Sequence, residues 1–150
     1  MRILLALCAA LGLSAAAQAD EIVRVKSDNS VPDTMAALNK AVEGAGATVF
    51  ARVDHAAGAQ RAGMELDESQ LLVFGNPKLG TPAIQNDALA GLFLPLRVLV
   101  YQDGEGQVWL AYQDPTAMLG ALDGTPDGAE YLQKMTGALA KLTAAAANGQ

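Results

Sequence analysis

The sequence has one cysteine, one histidine and fewer basic than acidic residues. Each of these shortages argues against a class of protein. Cys8 is the single cysteine among 150 residues, and it lies in the N-terminal apolar run. The rest of the chain therefore has no residues for a disulfide scaffold, a thiolate metal centre or a cysteine nucleophile. Ten basic residues face 16 acidic ones, for a formal net charge of −6. This acidic balance disfavours nucleic acid and anionic membranes as main partners.

A hydrophobic run long enough to cross a bilayer is also missing. The apolar run from Ile3 to Leu13 has about 11 residues, whereas a spanning helix needs about 20. It follows Arg2 and precedes the small-residue sequence Ala17-Gln18-Ala19, which is the pattern of a cleaved signal peptide. We therefore expect residues 1–19 to be a Sec-type signal peptide cleaved after Ala19. Residues 20–150 should form one soluble domain without a membrane span, located in the periplasm or secreted.

From residue 22 onward, hydrophobic periodicity predicts a mixture of strands and helices. The order is strand, helix, strand, short helix, three strands and a final helix. Because this order lacks regular alternation of strand and helix, it predicts a single α+β domain with a largely antiparallel sheet of about five strands. The predicted strands are 22–26, 48–54, 70–74, 96–102 and 107–112, and the main helices start after Ser30 and at Glu130.

The last two predicted strands flank Asp103-Gly104-Glu105-Gly106, which is typical of a hairpin turn. A four-residue loop would place Arg97 near Tyr112 and make both faces of the hairpin largely apolar. A sheet with one wet face should instead alternate apolar and polar residues. We therefore expect helices on one face and a loop, a ligand or a second subunit on the other, and we predict a homodimer.

The strand Leu71–Phe74 leads into the loop Gly75-Asn76-Pro77-Lys78-Leu79-Gly80-Thr81, for which two interpretations remain open. The loop could bind an anion through backbone N–H groups, the Lys78 ammonium and a helix N-terminus. It could equally be a structural corner, with glycines at positive φ, Asn76 as a cap and a helix that begins at Thr81-Pro82. Its spacing does not match a nucleotide-binding P-loop.

Two further residues could carry chemistry. His55, the only histidine, could act as a general base or a metal ligand, or it could simply begin a short helix. Arg97 lies within an apolar strand, where it could be the partner of a buried ion pair or present its guanidinium to a carboxylate or phosphate. The methionines fall at core-like spacings and no histidine pair or cysteine cluster exists, so we predict no metal and no cofactor.

Three segments of the chain together resemble a known family. They are Asp54-His55-Ala56-Ala57, the stretch Leu71 to Pro82, and Leu94-Pro95-Leu96-Arg97 with the hairpin that runs on to Tyr112-Gln113-Asp114-Pro115. The match is with the bacterial and archaeal family called domain of unknown function 302, over roughly residues 48–116. The resemblance implies a small α+β domain with a curved antiparallel sheet, a long C-terminal helix and homodimers. It implies no activity and no catalytic residues.

Three functions remain open. The first is a noncatalytic module that binds a small anionic or partly apolar ligand in a groove between the sheet and the helices. Its candidate contacts are His55, Asn76, Lys78, Arg97 and Tyr112. The second is an enzyme with His55 as acid/base and Lys78 or Arg97 as substrate anchor, which requires His55 within about 6–8 Å of one of these cations. The third is a structural or interaction protein that acts as a homodimer.

Overall fold

A five-stranded antiparallel sheet organises residues 22–149, the part of the chain that the computed structural model describes. The α+β prediction is confirmed. The predicted signal peptide, residues 1–19, lies outside the described residues. The spatial order is β1-β5-β4-β3-β2, so β1 and β2 form the two edges. The strands are β1 Ile22–Ser27, β2 Thr48–Asp54, β3 Ser69–Gly75, β4 Leu96–Gln102 and β5 Val108–Gln113.

Five helices and one 3₁₀ turn connect and cover these strands, and none of the described helices is long and apolar enough to cross a membrane. The first helix follows its sequence signals: the Ser30 hydroxyl accepts a hydrogen bond from the Asp33 N–H, and Gly46 lies just beyond the helix end at a φ of 73°. The helices are α1 Val31–Gly44, α2 His55–Arg61, α3 Pro77–Asn86, α4 Pro115–Gly120 and α5 Glu130–Ala147, with the 3₁₀ turn at Ala88–Leu92.

The hydrophobic core lies between one face of the sheet and the helix pair α1 and α5. We call this side of the sheet the helix-covered face. Polar contacts fix the helix pair to β1, since Ser27 and Thr34 share a buried 2.8 Å hydroxyl contact and Asn29 donates to the Ala147 carbonyl. The fully buried side chains include Met35, Leu38, Leu72, Val98, Val100, Leu110, Met135 and Leu139.

The β4–β5 hairpin has a longer loop than the sequence predicts. Gln102 pairs with Val108, which leaves a five-residue loop that closes with the Asp103 N–H donating to the Gln107 carbonyl. The Asp103 carboxylate stabilises it by accepting from the N–H groups of Glu105 and Gln107 and from the Trp109 indole, the last at 2.7 Å. One extra loop residue reverses which side chains of β5 share a face with those of β4.

The predicted proximity of Arg97 and Tyr112 is therefore wrong. Arg97 shares a face with Gln113, and its guanidinium donates to the Gln113 side-chain oxygen at 3.3 Å. Tyr112 points to the opposite side and is buried in the core.

The second face of the sheet lies opposite the helix pair α1 and α5, and we call it the open face. Arg97 and Val53 are exposed there, whereas Leu99, Tyr101 and Trp109 are half-buried by their neighbours. The prediction that both faces carry apolar residues is confirmed. What covers the open face stays a prediction.

Candidate functional site

The loop after β3 is the first turn of a helix. Asn76 caps α3, and its side-chain oxygen accepts from the Lys78 N–H at 3.0 Å. Pro77 occupies the first helical position, where its fixed φ suits the helix and its missing N–H costs nothing. The predicted helix start at Thr81-Pro82 is wrong, because the same kind of signal occurs five residues earlier at Asn76-Pro77. Pro82 lies inside the helix.

The glycines of this segment serve close packing, and neither Gly75 nor Gly80 has the positive φ that the corner interpretation assigned to it. A Cβ atom on Gly75 would lie 3.3 Å from the Phe50 ring and 3.5 Å from Pro95. A Cβ on Gly80 would lie 3.6 Å from Leu94. The chain therefore approaches its neighbours closely on this side of α3.

An apolar cavity of about 320 Å³ lies between α3, the end of β3 and α5. Phe74 and Leu96 form the sheet side, and Met135, Ala138 and Leu142 form the α5 side. Phe50, the extra residue at a β-bulge in β2, forms part of the rim. Among residues 22–149, no Lys, Arg, Asp or Glu lines the cavity. Its other lining residues include Ala45, Ala47, Gly75, Asn76, Pro77, Leu79, Gly80, Thr81, Ile84, Gly91, Leu94 and Pro95.

Large apolar side chains are exposed at and beside this cavity. Phe50 is 57% exposed and Ile84 is 42% exposed, and both line the cavity. Leu92, in the adjoining 3₁₀ turn, is 76% exposed. A cluster of exposed large apolar residues around a concave surface is typical of a ligand or partner site.

The backbone donors that an anion site needs are already bonded within α3. The Asn76 side chain takes the Lys78 N–H, and the Asn76 carbonyl accepts from the N–H groups of Leu79 and Gly80. The Lys78 side chain is exposed and does not line the cavity. Of the predicted contacts in this loop, Asn76 alone joins the cavity wall.

His55 lies at the other end of the sheet. It is exposed as the first residue of α2, where the Asp54 carboxylate caps the helix by accepting from the Ala57 N–H. Seven residues of β3 separate this end from Lys78, a distance of about 20 Å at the rise of a strand. Strand spacing likewise places His55 about 16 Å from Arg97, Cα to Cα. The structure thus does not bring His55 together with either cation.

Arg97 and Tyr112 lie on different sides of the sheet. The Arg97 side chain is exposed on the open face. Burial raises the pKa of the Tyr112 hydroxyl, with a further contribution from the Asp114 carboxylate and partial compensation by Thr143. Tyr112 is therefore protonated at neutral pH. Within residues 22–149, no group of three or more histidine, aspartate or glutamate side chains is placed to hold a metal ion.

Sequence reasoning missed the apolar residues that form the cavity. Phe50, Ile84, Leu94 and Ala138 come from four separate elements, and only the tertiary fold brings them together. The one local signal was the pair of large apolar residues Leu89 and Leu92, which are exposed in the 3₁₀ turn beside the cavity.

Comparisons with known proteins place this geometry in a family. The sequence model of a family described as domain of unknown function DUF302 matches residues 23–142. A crystal structure of an uncharacterised conserved DUF302 protein from Bacillus stearothermophilus has the same fold, with a TM-score of 0.67 and 20% identity. That alignment covers 85% of this chain and 96% of the other.

Two similar sequences belong to longer proteins. The chain is 44% identical over 94 residues to a protein of Brucella suis and to one of Brucella abortus, each named fluoride-specific ion channel FluC 1. The matched segment covers 63% of this chain and 37% and 35% of those two proteins. The chain thus spans about a third of the length of these relatives. Because the family model covers most of this chain, the protein belongs to the DUF302 family.

Proposed function

We propose that this domain is a noncatalytic module that binds a small, largely apolar molecule in the cavity beside α3. The observation that carries the proposal is the cavity itself, about 320 Å³ in volume and lined almost wholly by apolar atoms. Cavities of this size suit ligands at the small end of drug size. A compact aliphatic or aromatic compound fits this chemistry.

The polarity of the cavity wall narrows the ligand class. Asn76 already uses its side-chain oxygen to cap α3, and Thr81 is the only hydroxyl residue that the described part of the chain contributes to the lining. A charged group placed inside would lose its hydration without gaining a partner. The ligand is therefore uncharged within the cavity, and any polar end faces solvent.

The uncharged fluorophore N-phenyl-1-naphthylamine, which brightens in apolar surroundings, tests the proposal. We expect saturable 1:1 binding to the wild-type domain. Ala138→Phe fills the cavity from α5 and should weaken binding at least about tenfold, equivalent to about 1.4 kcal/mol. Ala140→Phe is the matched control, because Ala140 lies on the same helix but is exposed and outside the cavity lining. Equal affinity in both variants would contradict the proposal.

The alternative enzyme function has less support. It requires His55 within about 6–8 Å of Lys78 or Arg97. Strand spacing instead separates His55 from these two residues by about 16–20 Å. A His55→Ala variant should therefore keep the fluorophore affinity of the wild type. A loss of binding in that variant would point back to a site around His55.

We also propose that the full chain is exported and that the mature domain is a homodimer, as the N-terminal pattern and the resemblance to the family predict. Expression in a bacterial host followed by intact-mass measurement of the periplasmic fraction should give a chain that begins at Asp20. Ala17→Arg should block that processing. Light scattering of the mature domain should give twice the monomer mass, and a monomer at micromolar concentration would overturn the dimer.

The relatives named as fluoride channels suggest a second function, as an accessory domain of an ion channel. In those longer proteins a segment similar to this chain is covalently joined to further sequence. We infer association with a channel rather than fluoride binding, because the cavity offers no cation to hold a small anion. Tagged protein purified from its own cells should retain a fluoride channel, and a strain that lacks the protein should be more sensitive to fluoride. Unchanged sensitivity with no retained channel would exclude this function.

A further inference from the structure

The open face of the sheet contains a shallow hollow of about 450 Å³, separate from the cavity beside α3. Its centre is Ala111 on β5, which pairs with Leu99 on β4 and with Arg24 on β1. Leu71, opposite Leu99, extends the same row onto β3. The small Ala111 between larger neighbours makes the hollow, and its floor is apolar.

Positive charge surrounds this apolar floor. Arg24 and Arg97 line the hollow, and Lys26, which forms a 3.8 Å salt bridge with Asp28, follows Arg24 on the same face. Strand spacing puts the Cα atoms of the two arginines about 12 Å apart, on either side of β5. No strand residue on this face is acidic, although the chain as a whole carries a net charge of −6.

The two guanidiniums have no ion-pair partner among residues 22–149. The one polar side-chain contact of Arg97 is a 3.3 Å hydrogen bond to the neutral Gln113 amide. At the hairpin tip, the Asp103 carboxylate is occupied by the Trp109 indole and by backbone N–H groups of its own loop. Guanidinium groups are well suited to carboxylates and phosphates, because they can donate two parallel hydrogen bonds.

We propose that the open face is a second binding site, which takes a small organic anion with a flat apolar body, such as an aromatic carboxylate. The body lies on Leu99 and Ala111 with the Tyr101 ring beside it, and Arg24 and Arg97 bind the anionic group. Such a ligand covers apolar surface and neutralises the unpaired charge at the same time, which an uncharged ligand cannot do.

Charge also argues against a second copy of the chain as the occupant. Two open faces packed on each other around a two-fold axis would bring Arg24 and Arg97 of both copies together, while the flanking carboxylates are already engaged, Asp28 by Lys26 and Asp103 by its own loop. A homodimer formed through another surface would leave this site free.

The only tryptophan in the sequence reports directly on this face. Trp109 pairs with Tyr101 and Lys26, beside the hollow. We expect 2-naphthoate to change Trp109 fluorescence saturably, with an affinity that falls as salt is added. The uncharged isostere 2-naphthamide should bind at least about tenfold more weakly.

Substitutions in the hollow test whether the change in Trp109 fluorescence arises from binding there. Arg24→Gln and Arg97→Gln should each weaken 2-naphthoate about tenfold, whereas Arg61→Gln, on the exposed surface of α2, should not. Ala111→Leu fills the hollow and should abolish binding of both compounds. All four residues are outside the buried core, and thermal unfolding checks that each variant folds.

Several results would overturn this proposal. They are equal affinity for 2-naphthoate and 2-naphthamide, no effect of either arginine substitution, or no fluorescence change at millimolar ligand. A dimer that shields Trp109 from a soluble quencher without any ligand would instead identify a second copy as the occupant. Because the N-phenyl-1-naphthylamine test concerns the cavity beside α3, the two proposals can fail independently.

Discussion

The two faces of the sheet are almost equally apolar, yet only one of them is covered. On β3, Leu72 points into the helix-covered face and is fully buried, while its neighbour Leu71 lies on the open face. Among β1, β3, β4 and β5 the difference between the faces is charge, since Arg24, Lys26 and Arg97 all fall on the open one. Arg52 on the edge strand β2 falls on the other side of the sheet, where it is exposed and donates to the Gln70 side chain. Charged side chains are too costly to bury without partners. On these four strands the positions of the basic residues, rather than apolarity, identify the face that α1 and α5 leave open.

A lysine substitution on each face should give the largest difference in the free energy of unfolding between the two faces. Val98→Lys puts a cation into the core under α1 and α5, where nothing compensates it, and should lower the free energy of unfolding by about 3–5 kcal/mol. Leu99→Lys, one residue further along β4, places the cation at the open face and should cost less than about 1 kcal/mol. Urea unfolding of the two variants measures the difference. Similar losses would mean that the open face is also buried in solution.

Truncation of the neighbouring residues Leu71 and Leu72 should give a smaller difference in stability between the same two faces. Leu72→Ala leaves a cavity in the core and should cost about 3 kcal/mol. Leu71→Ala removes a side chain that is partly in water already and should cost less than about 1 kcal/mol. Chemical denaturation with coincident circular dichroism and fluorescence transitions provides the measurement. A Leu71→Ala cost as large as that of Leu72→Ala would indicate an unseen partner on the open face.

The smallest expected effect concerns the hairpin tip beside the open face. The hydrogen bond from the Trp109 indole, aided by the Gln107 N–H, holds the pKa of the Asp103 carboxyl below its ordinary value of 3.8. A lowered folded-state pKa means that this contribution is fully present above the unfolded-state pKa and is lost as the pH falls through the folded-state value. Asp103→Asn should therefore flatten the pH dependence of the melting temperature below about pH 4. The same pH dependence of the melting temperature in the wild type and in Asp103→Asn would contradict this role of Asp103.

The fold was largely predictable because its signals are local. Ser30 with Pro32 starts α1 as expected, and alternating β-branched residues mark β1 and β4. The errors arose where two local solutions compete. Asn76-Pro77 and Thr81-Pro82 are equivalent start signals for a helix, and the glycine-rich hairpin sequence fits a four- or a five-residue loop.

The candidate sites were less predictable because they depend on tertiary structure. The bulge that exposes Phe50 has no distinct signature in the alternation of β2, and the cavity it borders collects residues from α3, α5 and the turn before β4. The charged residues of the sequence drew attention to His55, Lys78 and Arg97 because such residues often carry chemistry. Here they lie at separate places on the domain, none of them lines the cavity beside α3, and only Arg97 lines the hollow of the open face.

The pairing of β1 with β5 has a consequence for how the chain folds. Ile22, at the start of the described residues, pairs with Gln113 on the last strand in sequence, and β5 completes the sheet between β1 and β4. Contacts this distant in sequence close late and slow folding. The first strand must therefore remain unpaired until β5, the last strand in sequence, is available. Under the proposed export, this late closure of the sheet would help the chain to stay unfolded until it has crossed the membrane.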